Sequence, residues 1–492
     1  METRKVDFLN DRRFLGHPLG LGVNAILQLT NAFANYGMTS ILIYYLYTAV
    51  SEGGLGFTQI QASQFVNIYN SLNFMCGIVG AYLADRFLGI RKACSIGYGI
   101  RTLGYIFLAI PGGGVPFYLG SQCVLLGASL AMGTSLNALS GKIYSKEDTR
   151  RDGGFTIIYV LNNVGAIAPV ITGTIALIFN YHVGFLLAAV VMGLGWLLFV
   201  LTQDRLFGDT GKYPDDPFPA DKKMMALAKC LGAVILVFAI IASLLFTGVI
   251  EPTDFCNAVS AVSIFLPLAY LIYIYSSKKT TRAEARRLIP FTVIFIANCF
   301  GLMVWMQSTT IMAVYAAERV NMNFLGFELT PAAFQTVPAI FAVIFGILSS
   351  ALWNKMGERQ PSTILKFGLG TVFWGLGPLL MVVPFVLYPS ADIKVSPLWL
   401  IIFYGLIIWG EALTSPIGSS AATKVAPAAF AAQMVTIWQL SSSTGAGLSS
   451  LAANFYREGN EIAYFLGIGI VTILVGLFIW VAHKKLSNMM EC

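Results

Sequence analysis

The chain has 492 residues, 57% hydrophobic and only 11% charged, with a mean hydropathy of +0.73. A soluble domain carries about 25% charged residues, so this composition excludes a soluble globular protein and identifies an integral membrane protein. The formal net charge of +7 does not indicate a nucleic-acid partner, because the cations sit in alternate loops.

Met1 to Gly16 is polar and carries Arg4, Lys5, Arg12 and Arg13, so residues 1–19 are expected to be a cytosolic tail and not a cleaved signal. Apolar stretches of roughly 20 residues, enough to cross a ~30 Å hydrocarbon core as helix, then recur along the chain. They predict helices at 20–48, 60–84, 90–110, 115–143, 153–178, 181–203, 222–248, 255–277, 287–317, 331–355, 362–388, 396–423, 428–454 and 460–484. Residues 204–221, rich in Pro, Gly and Asp, read as a linker. Gly208 to Lys212 superficially resembles a phosphate loop, but it lacks both the full spacing and a preceding strand.

Basic residues gather in alternate loops, as at Arg86, Arg91 and Lys92, at Lys146, Arg150 and Arg151, at Lys278 to Arg287, and at Lys484 and Lys485. The intervening loops hold only Arg319, Lys394 and Arg457. That asymmetry places both termini in the cytosol of a multi-pass protein of the cell membrane. The seven cysteines fall mostly in apolar runs, with no close pair to suggest a disulfide or metal clip. The three histidines, His17, His182 and His483, are far apart in sequence. No metal or cofactor is expected.

Glu411 lies deep in the apolar run from Pro397 to Pro416. An ionisable group at bilayer depth costs a few kcal/mol, so such residues usually line a cavity and bind something; a carboxyl packed in neutral form is the competing reading. The first helix carries Asn24, Gln28, Asn31 and Asn35 on one face, and further amides occur at Asn67, Asn70, Asn73, Asn162, Asn163, Asn298 and Gln307. Facing a wet cavity they would supply donors and acceptors without charge; joining helices is the alternative use. Arg101 is the other deep charge, about 14 Å along the helix from Lys92, and is read as pairing internally in a structural role.

Several stretches carry a family likeness. Gly80 to Gly89 fits G-x-x-x-A-D-R-x-x-G, and Arg150 to Gly165 resembles R-R-D-x-x-F followed by F-Y-x-x-I-N-x-G, with Ile158 in place of a phenylalanine. Gly410 to Gly418 fits G-E-L-x-x-S-P-x-G with Ala412 for leucine, Lys424 to Pro427 fits K-x-A-P, and Gly357 to Thr363 adds another match. The chain therefore resembles the proton-dependent oligopeptide transporter family of the major facilitator superfamily. The resemblance implies an all-α membrane protein of fourteen transmembrane helices: a six-helix bundle at 20–203, a cytosolic linker at 204–221, two additional, peripheral helices at 222–277, a basic linker at 278–286, a second six-helix bundle at 287–484 and a tail at 485–492. It also implies a gating or structural role for Gly80, Asp85, Arg86 and Gly89.

The departures bear on mechanism. The family's first helix usually reads E-x-x-E-R-F-x-Y-Y-G-M-R; here both acids are amides, Gln28 and Asn31, and both arginines are replaced, by Ala32 and Thr39. Gly133 and Phe74 stand near a basic residue and a tyrosine of the family, and Gln307 stands where the family often has an acid. What remains is Glu411, which in the family binds the peptide's amino end, with Tyr36, Asn163 and Trp438. The expected substrate contacts are thus Glu411, Asn31, Asn35, Tyr36, Asn163, Gln307, Trp438 and Gln28.

A carboxylate needs a cation or several donors once water is removed. None stands in the expected site unless Arg101 reaches it, so cationic or neutral cargo is favoured over zwitterionic dipeptides. The reading is a monomeric secondary transporter for di- and tripeptides or amine-bearing peptide-like compounds, working by alternating access without proton coupling through the first helix. The rival is a transport-inactive receptor or scaffold of the same fold. An enzyme has no nucleophile–base pair, metal cluster or nucleotide loop to support it.

Overall fold

The computed structural model describes residues 7–8, 10–145, 148–324, 326–390 and 392–491. Two compact units are present, one comprising 1–56 and 72–252, the other 57–71 and 253–492.

The first unit contains α1 (Leu19–Tyr47), the latter part of α2 (Gln59–Leu83), α3 (Ile90–Ala109), α4 (Gly114–Met132), α5 (Ser135–Lys142), α6 (Arg151–Gly165), α7 (Ala168–Ile178), α8 (Tyr181–Phe207) and α9 (Ala220–Phe246). The fourth and fifth predicted helices are each broken in two. Gly133, at φ +49°, ends α4; a Cβ there would lie 2.2 Å from the Ala81 nitrogen, so only glycine lets the α2 backbone pass. Pro169, in the first turn of α7, has no N–H to continue the ladder from α6.

The linker is clamped to this unit. Arg86 pairs with Asp216 and stacks over Phe218, Lys142 pairs with Asp215, and Arg91 meets Asp204 at 2.6 Å. Gly89, at φ +82°, lets the Lys212 carbonyl approach where a Cβ would stand 2.6 Å away. The residues before α1 are also pinned: Arg150 donates to the Asp11 and Phe8 carbonyls, and His17 Nδ1 meets Tyr144 Oη at 2.7 Å.

The second unit contains the start of α2, α10 (Pro252–Ser276), α11 (Arg282–Met306), α12 (Ile311–Arg319), a hairpin of β1 (Asn323–Phe324) and β2 (Phe327–Glu328), α13 (Val337–Met356), α14 (Thr363–Leu387), α15 (Leu398–Lys424), α16 (Ala431–Ala453) and α17 (Glu461–Glu491). A Thr281–Glu284 capping box starts α11 five residues before the expected 287. A 3-10 turn at Gln307–Thr309 separates α11 from α12. In α14 a Cβ on Gly375 would come 2.8 Å from the Gly469 carbonyl of α17, the small-residue contact typical of membrane helices.

Among the described residues, counting each broken rod once, the seventeen α-helices make the fourteen expected, and ten of these are apolar and long enough to cross a membrane. The other four are α1, α2, α3 and α16, which carry the amides, Arg101 and a run of serines.

The two helices between the predicted bundles behave differently. Within α9, none of the described residues of the Met224–Leu245 span is buried, as befits a peripheral helix. α10 is integrated: Thr444 of α16 donates to the Ser263 carbonyl at 2.7 Å, and Gly447 leaves room for Ser263 Oγ. Asn257 of α10 also accepts from Gln64 of α2 and from Asn454.

Candidate functional site

In the second unit, four helices close around Glu411. A cavity of about 250 Å³ is lined by Asn298 of α11, Trp374 of α14, Glu411 and Ser415 of α15, and Trp438 and Gln439 of α16, among others. Its volume is comparable to about eight waters at ~30 Å³ each. Glycines make the indole slots. A Cβ at Gly301 would lie 1.1 Å from Trp374 Cε3, one at Gly410 would lie 2.8 Å from Cδ1 of the same ring, and one at Gly418 would lie 1.7 Å from Trp438 Cζ2. The Trp438 ring is further set by Phe291 and Phe367, at centroid distances of 6.1 and 5.9 Å.

The donors here are unusual. Trp374 is 1% exposed and its Nε1–H has no acceptor; the Trp305 Nε1–H is likewise buried without one. The Trp305 indole is not a lining residue of this cavity, and its N–H addresses the Glu411 carboxyl at the limit of hydrogen-bond geometry. An indole N–H can only donate, and leaving it buried and unpaired is costly. A carboxylate beside the unpartnered Trp374 donor suits a ligand that offers a cation and a carbonyl oxygen together. Asn298 Nδ2 is committed to Ser441 Oγ at 2.8 Å, leaving its carbonyl oxygen toward other partners.

Gln307 is elsewhere. Its Nε2 donates to Ser449 Oγ at 2.8 Å and its Oε1 accepts from Tyr464 Oη at 2.7 Å, in a core that is 2% exposed at Gln307.

In the first unit the amides of α1 diverge. Asn24 donates to Ser140 of α5 at 3.1 Å and Gln28 to Asn162 of α6 at 2.9 Å. Asn31 Oδ1 accepts from Arg101 Nη1 at 2.8 Å, Arg101 Nη2 donates to Ser129 Oγ at 3.0 Å, and Ser129 in turn donates to Asn73. Asn163 bonds the Tyr159 carbonyl of its own helix at 2.9 Å. Asn31, Asn35, Tyr36 and Asn163 are half-buried. Gly80 serves this network, since a Cβ there would strike the Ser129 carbonyl at 2.2 Å.

Sequence reasoning groups Glu411 with Trp438, and the structure brings both into one cavity with Asn298. It misses Trp374, Trp305 and Ser129. A tryptophan in an apolar helix, whose N–H needs a partner when buried, is the available signal for the first two.

Comparison with known proteins decides the family. The profile PTR2, the POT family, matches residues 93–472. The chain belongs to the POT family. It is a multi-pass membrane protein of a transporter family with the major facilitator fold, and not an enzyme. It is 38% identical to "Uncharacterized transporter YclF" of Bacillus subtilis, over 94% of this chain and 93% of that one. It is 34% identical to a "Di-/tripeptide transporter" of Lactococcus lactis subsp. cremoris, over 98% of each. Among solved POT structures, a peptide transporter in complex with sulfate aligns with a TM-score of 0.93 at 35% identity, covering 99% of this chain and 100% of that one. A POT family transporter in complex with 5-aminolevulinic acid aligns at 0.90 and 31%, covering 97% and 98%.

Proposed function

We propose that this POT-family protein carries di- and tripeptides, or amine-bearing peptide-like compounds, across the cell membrane by alternating access, as a monomer with both termini in the cytosol. The six-helix bundles are 20–203 and 287–484. The carrying observation is Glu411 in a cavity lined by Trp374, whose indole N–H has no acceptor, where a peptide's ammonium meets the carboxylate while its first carbonyl accepts from that N–H. Trp438 walls that site. Gln28 and Asn31 do not titrate, so α1 supplies no coupling proton. With Glu411 ionised, cationic cargo moves inward under a cytosol-negative potential, which supplies about 2.3 kcal/mol per 100 mV for each charge crossing.

Reconstitution into liposomes tests this. Uptake of a radiolabelled dipeptide C-terminal amide, a monocation, should rise with a potassium-diffusion potential and need no pH gradient. Glu411→Gln leaves a desolvated ammonium without its counter-ion, a loss of about 2–5 kcal/mol, or at least ~30-fold in affinity. Unchanged affinity in that variant removes Glu411 from recognition. Tight binding without uptake in any gradient makes the protein a receptor of the same fold.

A further inference from the structure

We propose that a cavity between the start of α3 and the end of α8 holds the phosphodiester headgroup of an anionic phospholipid, whose acyl chains run down the exposed apolar faces of these two helices. The site lies wholly within the first unit and takes no part in holding cargo.

The two helices pack side by side. Their cavity measures about 310 Å³ and is lined by Arg91, Lys92 and Ser95 of α3, Gln203 and Asp204 of α8, and Lys212 of the linker, with Ile96 at its apolar edge. That is space for about ten waters at ~30 Å³ each, and a glycerol phosphate has a similar number of heavy atoms. Asp204 holds Arg91 at 2.6 Å, and Asp209 meets Lys212 at 3.7 Å, a long pair. Lys92 is exposed and has neither an ion pair nor a hydrogen bond among the described residues. Three cations therefore face two acids, and one positive charge is left over. Gln203 Oε1 accepts from Ser95 Oγ at 3.0 Å, which leaves the Gln203 amide nitrogen as a neutral donor. A phosphodiester carries one negative charge and several acceptor oxygens, and lysine binds phosphate as a point charge. It completes this set. A headgroup with its own ammonium brings no net charge and leaves the excess in place.

The surroundings of the cavity select a lipid. On α3, Lys92, Ile96 and Leu103 share one helical face, and on α8, Asp204, Leu201 and Leu197 share another. Ile96, Leu103, Leu197 and Leu201 are all exposed, Leu201 at 73%. Each helix thus presents charge at the cavity and bare hydrocarbon directly beyond it. Between them, Trp196 Nε1 donates to the Ser95 carbonyl at 2.7 Å, and Gly99 admits the ring, since a Cβ there would stand 3.0 Å from Cζ2. Tryptophan is the side chain that settles at the boundary of headgroups and hydrocarbon, so the indole marks the cavity as lying at headgroup level. A soluble phosphate would use the cations and gain nothing from the slope of leucines, whereas a phospholipid uses both. On the orientation proposed above, the lipid comes from the cytosolic leaflet, the one whose anionic headgroups attract basic segments.

The test uses the full chain in detergent. Native mass spectrometry measures binding of dioleoyl phosphatidylglycerol and of dioleoyl phosphatidylcholine, and thermal unfolding is followed with each lipid and with glycerophosphoglycerol, the anionic headgroup without its chains. The wild type should bind phosphatidylglycerol at least fivefold more tightly than phosphatidylcholine. Lys92→Gln combined with Lys212→Gln should remove more than half of that preference. Lys278→Gln combined with Lys279→Gln, which takes two cations from another basic loop, should keep more than half. Leu201→Gln should weaken phosphatidylglycerol at least threefold. If the Lys92 and Lys212 pair does not fold, Lys92→Gln alone, at an unpaired side chain, must still lower the preference at least 1.5-fold. A wild type without preference overturns the proposal, as does equal loss in the two double variants, the mark of overall charge. Stabilisation by glycerophosphoglycerol equal to that by the lipid, with Leu201→Gln indifferent, overturns it too and gives the cavity to a soluble phosphate. None of these readouts involves peptide, so failure of the transport reading would leave them unchanged.

Discussion

Gly301→Ala probes how the cavity beside Glu411 is made. The new methyl carbon would stand 1.1 Å from Cε3 and 1.4 Å from Cζ3 of Trp374, a deficit of roughly 2 Å against carbon–carbon contact near 3.5 Å. The ring has little room to retreat: it is 1% exposed, and Gly410 of α15 backs its Cδ1 edge so closely that a Cβ there would lie 2.8 Å away. Overpacking typically costs 1–3 kcal/mol, and a full ring collision belongs at the upper end, about 3 kcal/mol. Trp374→Ala alone should cost about 3–5 kcal/mol through the cavity it leaves. In that background the clash is gone, and Gly301→Ala should be neutral or gain about 0.5–1 kcal/mol from better helix propensity. The double-mutant cycle therefore carries a coupling of about 3 kcal/mol. Unfolding in mixed detergent micelles gives the four stabilities, and dipeptide binding to Gly301→Ala gives the functional side, expected at least tenfold weaker. An alanine at 301 that costs as much without the indole as with it would refute the slot argument.

Two further outcomes follow from polar contacts away from the cavity. Gln307→Leu strands Tyr464 Oη and Ser449 Oγ in the core and should cost about 2 kcal/mol of stability with peptide affinity unchanged; a tenfold affinity loss with stability intact makes Gln307 a cargo contact instead. His17 lies ahead of α1, and burial, then the Arg150 charge, holds its imidazole below the ordinary 6.5. The docked chain end thus binds fewer protons than the released one, so its stabilisation is complete above pH ~6.5 and is lost as pH falls toward the lowered value. The hydrogen-exchange protection of residues 10–17, after correction for the intrinsic exchange rate at each pH, should fall between pH 7.5 and 5 in the wild type, and His17→Gln should flatten that dependence; an identical slope in the variant rules the histidine out.

Hydropathy marks where the chain meets lipid, and helix ends follow it closely where a helix stops at the membrane surface: α14 runs Thr363–Leu387 against an expected 362–388. It fails where helix continues into water, as in α17, which runs on past His483 to Glu491, because the apolar signal ends before the hydrogen-bond ladder does. It also fails at breaks fixed by neighbours. Gly133 reads as one small residue among many until the α2 backbone is seen passing it. In the site, Glu411 stands out because a charge in an apolar run is conspicuous by itself. The partnership of Asn31 with Arg101 depends on packing between residues 70 apart, and no local pattern carries it. Helical periodicity puts Asn24, Gln28 and Asn31 on one face, yet three different helices receive them, since α1 is enclosed on several sides.

The bare flank of α9 has an evolutionary corollary. With no described residue of its Met224–Leu245 span buried, no partner's shape constrains those side chains. Its 22 residues extend roughly 33 Å as helix, close to one hydrocarbon thickness. Selection on this segment can then see only length and oiliness, so its letters are free to drift among Leu, Ile, Val, Ala and Phe, whereas the glycines that cradle Trp374 and Trp438 are not free to change at all. Among descendants of this gene, α9 should be the stretch where alignment decays first while hydropathy stays constant.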